Sequence, residues 1–108
     1  MKTYSLGDTI VITLELRDAS GVARVTAVFN EVQSGRAIQM DSDGGGQPQA
    51  KIVLMKPVTD NIVPGEYKCQ FVEAYDTRGN HKTHTPDIRF RIENVPGDHE
   101  GPELLSWS

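Results

Sequence analysis

The stretch that decides the fold is residues 65–75, Gly65-Glu66-Tyr67-Lys68-Cys69-Gln70-Phe71-Val72-Glu73-Ala74-Tyr75. Tyr67, Cys69 and Phe71 keep one parity, whereas Val72 and Ala74 keep the other. Alternation of period two, carried by aromatic and β-branched residues, predicts a strand with one buried face. The change of parity predicts a β-bulge near Phe71 and Val72, because one extra residue re-aims the rest of a strand without surrendering its core side. A strand patterned this strongly belongs at the centre of a sheet.

Working outward, residues 9–16 read TIVITLEL, with Ile10, Ile12, Leu14 and Leu16 on one face. Turn residues Asp18, Ala19, Ser20 and Gly21 follow, and then a second β-rich run with Ala23, Val25, Ala27 and Phe29 in step. Residues 36–40 form a shorter candidate strand. The run Asp41-Ser42-Asp43-Gly44-Gly45-Gly46 reads as a mobile connection, since glycine lowers the cost of almost any backbone path. Residues 51–55 are again β-rich. In the last segment Ile88, Phe90 and Ile92 point inward, and Pro86 predicts a sheet edge or a break. No window shows helical periodicity. About seven short strands, punctuated by Gly, Pro and Asp every 8 to 12 residues or so, predict an all-β, antiparallel two-sheet sandwich.

Length and charge narrow the function classes. The 108 residues suit one domain with one core. A formal net charge of -4 opposes binding to nucleic acid, which rewards clustered Lys and Arg. Apolar runs such as residues 52–55 are far shorter than the roughly 20 residues of a membrane span. Cys69 is the single cysteine, so internal disulfides are excluded and the thiol reads as a small buried hydrophobe.

Three pieces in order carry a family resemblance: Asp18-Ala19-Ser20-Gly21-Val22, Gly65-Glu66-Tyr67-Lys68-Cys69, and Asp76-Thr77-Arg78-Gly79-Asn80. Together they resemble the immunoglobulin-like and fibronectin III-like modules strung in tandem through bacterial surface proteins and secreted enzymes. The likeness implies an immunoglobulin-like sandwich over residues 1–94 in which Tyr67 forms a tyrosine corner, bonding back to the preceding turn, with Cys69 in the core. It implies a non-catalytic spacer or adhesion module of an extracellular or cell-surface protein, whose partners are neighbouring domains and a protein or glycan ligand. The partner cysteine and core tryptophan of antibody domains are absent. An accessory carbohydrate-binding domain of a secreted hydrolase is the alternative, with Tyr4, Tyr75 and Trp107 as the aromatic residues left for stacking sugars. Residues 95–108 read as a linker and the beginning of a following module, and the short run before Thr9 predicts that most of a first strand is missing. Leu104, Leu105 and Trp107 are then candidates for strand exchange into that vacancy.

Two readings compete for the loop residues. Asp18, Asp76 and Asn80 supply hard oxygens that suit calcium, but Asp and Asn also cap their own turns, which is the simpler chemistry. His81 and His84, three apart on an extended segment, fall on opposite faces and lack the remaining ligands of a zinc site. No nucleophile elbow or phosphate loop is present, and no cofactor is expected beyond the possible calcium.

Overall fold

The computed structural model describes residues 1–96 and 104–106. Six strands follow one another: β1 (Lys2–Ser5), β2 (Thr9–Glu31), β3 (Ala37–Pro57), β4 (Gly65–Asp76), β5 (His81–His84) and β6 (Arg89–Glu93). They form one mixed sheet in the order β1-β6-β4-β2-β3, with β5 beside β4. The sheet is not closed into a barrel, and no helix occurs among the described residues. Only β1 and β6 run parallel, pairing Lys2 with Phe90 through to Ser5 with Glu93.

β2 and β3 are much longer than the sequence predicts, because each joins what read as two strands. Together they make an antiparallel ribbon, irregular only between Arg17 and Arg24. That ribbon doubles back on itself. Glu31 pairs with Tyr67, Gly65 pairs with Ile92, and Ile92 pairs with Tyr4, whose hydroxyl bonds the Val11 backbone. Residues 11 and 31 of one strand therefore lie at the same end of the molecule, where a straight strand would hold them roughly 65 Å apart. The bend falls at residues 18–21 of β2 and 44–46 of β3, so the glycine run is a bulge inside the ribbon, held between Asp43 opposite Arg24 and Gln47 opposite Val22. Two backbones touch there. A Cβ on Gly44 would stand 2.2 Å from the Val22 carbonyl oxygen, and one on Gly21 would stand 2.3 Å from that of Gly46. Gly21 and Gly44 are the glycines that this close approach requires.

The core fills the fold of the ribbon. Ile10, Ile52 and Leu54 from one half meet Val25, Ala27, Phe29, Tyr67, Phe90 and Ile92 from the other in a single buried cluster. Phe90 sits at its centre, stacked on Tyr67 (centroids 5.3 Å, planes 8° apart) and touched by Phe29 and edge-on Tyr4. Burying one such ring is worth roughly 2 kcal/mol. Val95, placed by the sequence in the linker, belongs to this core.

The bulge in β4 is present. Phe29 pairs with Cys69 but Val28 with Phe71, so Gln70 is the extra residue. Val72 is buried beyond it, and Phe71 is left half-buried rather than in the core. The last segment breaks at Pro86 into β5 and β6. β1 places four residues along the edge of β6, and Tyr4, read from the sequence as a candidate for stacking sugars, is a core residue.

Candidate functional site

The bend of the ribbon brings two polar loops together. In the first, the Asp18 carboxylate accepts the Ser20 N–H at 2.8 Å. In the second, Asp76 Oδ1 accepts the N–H groups of Arg78 and Asn80 at 2.9 and 2.8 Å, and its Oδ2 accepts the Asn80 amide at 3.1 Å. The Asp76 N–H returns a bond to the Asn80 carbonyl at 2.8 Å. Thr77 ties the loops, its N–H donating to the Gly21 carbonyl at 3.1 Å and its hydroxyl to the Ser20 carbonyl. Burial pushes the Asp76 carboxyl up, but the bonds from Asn80 and Arg78 outweigh it and hold the group below its ordinary value.

Both carboxylates thus cap turns. Asp18, Asp76 and Asn80 line one cleft, yet Asp76 turns both oxygens to its own loop. No group of three or more His, Cys, Asp or Glu side chains suited to a metal ion occurs among the described residues.

The cleft has a volume of about 340 Å³, and Leu16, Val22 and Ala74 share its lining with Glu15, Arg17 and Lys82. In its lining too, on β4, Tyr75 carries the Arg24 guanidinium 4.6 Å from its ring centroid and meets His81 at 5.5 Å. His81 Nδ1 is 2.7 Å from Glu73 Oε1.

Comparison with family models, with curated proteins and with solved structures finds no match to this chain.

At the opposite end, the Tyr67 hydroxyl donates to the Val63 carbonyl at 2.6 Å, four residues upstream. Cys69 is a free, buried thiol, pushed up by burial. Sequence reasoning missed Glu31, which is 5% exposed. Its carboxylate accepts the Gln33 N–H at 2.6 Å and the Ser34 N–H at 3.0 Å, closing the turn between β2 and β3. A Cβ on Gly65 would come within 2.9 Å of it. The signal was its place in the parity of Val25, Ala27 and Phe29, where a charge needs partners.

Leu104 and Leu105 are 78% and 88% exposed and belong to no strand. Trp107 lies outside the described residues.

Proposed function

We propose that this chain is a non-catalytic, immunoglobulin-like module that serves as a spacer or protein-interaction unit of a larger extracellular or cell-surface protein. The observation that carries the reading is the joined loop end. Asp18, Asp76 and Asn80 are used to close their own turns, and Thr77 fastens one turn to the other. A braced loop end gives neighbouring domains or a protein ligand a fixed surface.

Support for the sandwich comes from the folded ribbon, from the terminal strands β1 and β6 running parallel, and from the Tyr67 bond to Val63, the geometry of a tyrosine corner. The sugar-binding alternative loses candidates, because Tyr4 is buried and Tyr75 is covered by Arg24. Neighbouring domains of the parent protein are the partners this reading names, and it needs no cofactor.

A glycan array probed with the purified chain tests the choice. A blank array is the expected result, and saturable binding to one sugar class would transfer the assignment to the carbohydrate-binding alternative.

A further inference from the structure

Burial changes abruptly along one face of β2. Ile10 is fully buried, whereas Ile12, Leu14 and Leu16 on the same face are only partly covered. Cover is supplied at the start of the strand by β1, whose Tyr4 hydroxyl donates to the Val11 carbonyl at 3.3 Å, and β1 is only four residues long. Farther along, among the described residues, 12–17 of β2 have a strand neighbour on the β3 side alone, for β4 joins β2 only from Val22 onward. Across the cleft, β5 pairs with β4 and with no other described strand. Two free strand edges therefore flank a half-covered apolar strip.

The β2 edge offers unused backbone groups. Val11 turns its N–H and C=O toward the Tyr4 hydroxyl, and in an antiparallel ladder the alternate residues Thr13 and Glu15 turn theirs to the same side. Backbone donors and acceptors at strand spacing beside an apolar strip are complementary to another strand.

We propose that residues 104–106 of a second copy of this chain add as a strand in this groove, in line behind β1. Leu104 and Leu105 are the most exposed large apolar residues described, and in an extended segment one of the two turns inward. Direction selects the second copy. β6 is antiparallel to β4 and β4 to the second half of β2, so β1 runs antiparallel to residues 9–17, the half folded back. A strand following the line of β1 must enter from the Arg17 end, whereas the chain's own tail leaves β6 at the Thr9 end. Entering directly from that end, its own tail would run parallel to β2, the weaker pairing. Docking of this kind is heterologous and builds open head-to-tail chains. This inference goes beyond the module reading and does not depend on it.

Light scattering on the whole chain from micromolar to millimolar concentration, with Trp107 fluorescence followed in parallel, tests the proposal. Mass is expected to rise above that of the monomer as the Trp107 emission shifts to the blue. Leu104→Ser/Leu105→Ser should weaken association at least tenfold while leaving the fold intact. Thr13→Pro, which removes an N–H that β3 does not use, should do the same; if that variant unfolds, the double serine variant decides. A constant monomer mass at every concentration overturns the proposal. So does a mass rise that survives the serine substitutions, which would place the contact elsewhere, or a blue-shifted Trp107 in a strict monomer, which would mean that the tail docks on its own chain.

Discussion

Tyr67 and Glu31 are two residues on which the end of the molecule away from the loops depends. Tyr67→Phe removes one buried hydroxyl bond to Val63 and should cost about 1–2 kcal/mol in urea denaturation. Burial, reinforced by the Glu31 carboxylate, pushes the Tyr67 hydroxyl up to about 12. A raised value means that its contribution is complete below the ordinary tyrosine range and is lost as pH climbs toward 12. Stability of the parent should fall along that alkaline limb, and the Phe variant should fall less steeply. Glu31 has the opposite sign. The Gln33 N–H holds its carboxyl down against the upward push of burial, with Ser34 assisting. Its stabilisation is present above the ordinary carboxylate range and disappears as pH drops through the lowered folded value. Melting temperatures of Glu31→Gln measured against pH should show a flatter acid limb than the parent; parallel curves would mean that the carboxylate is not the group titrating.

At the scale of elements, the ribbon of β2 and β3 makes a sharp distinction among three adjacent glycines. Gly44→Ala drives a Cβ into the Val22 backbone and should destabilise by roughly 2 kcal/mol or more. Gly45→Ala meets open space and is opposed only by its positive φ of 70°, which costs about 1 kcal/mol. Equal costs in chemical denaturation would restore the mobile connection that the sequence suggests. Legibility followed the same division. Alternation in residues 9–16 and 65–75 is a local property, so the buried faces and even the extra residue in β4 could be read from it. The bend was illegible because Gly44 has the same composition whether it is free in a loop or pressed against another backbone. Tyr4 was misjudged because parallel pairing of β1 with β6 joins residues far apart in sequence. Of the candidate site, the aspartates and Asn80 were legible as turn caps, while the Thr77 strut between the loops leaves no pattern in the chain.

For the whole molecule, one core shared by both halves of the ribbon implies one cooperative unit. Urea unfolding followed by near- and by far-ultraviolet circular dichroism should therefore give coincident transitions, and separated midpoints would mean that the two halves of the ribbon unfold apart. Millimolar calcium should raise the melting temperature no more than magnesium does, given how Asp76 directs its oxygens; a calcium-specific rise that Asp76→Ala abolishes would install a site. The parallel pairing of β1 with β6 has a mechanical consequence. Tension applied at Lys2 and at Glu93 pulls these neighbours past one another, so the load falls on all four paired positions together instead of peeling them apart singly. A unit tethered through its two terminal strands is thus held by a shear clamp, and in an atomic-force extension trace it should yield in one abrupt step at a force well above that needed when the same β1 is unzipped from one end.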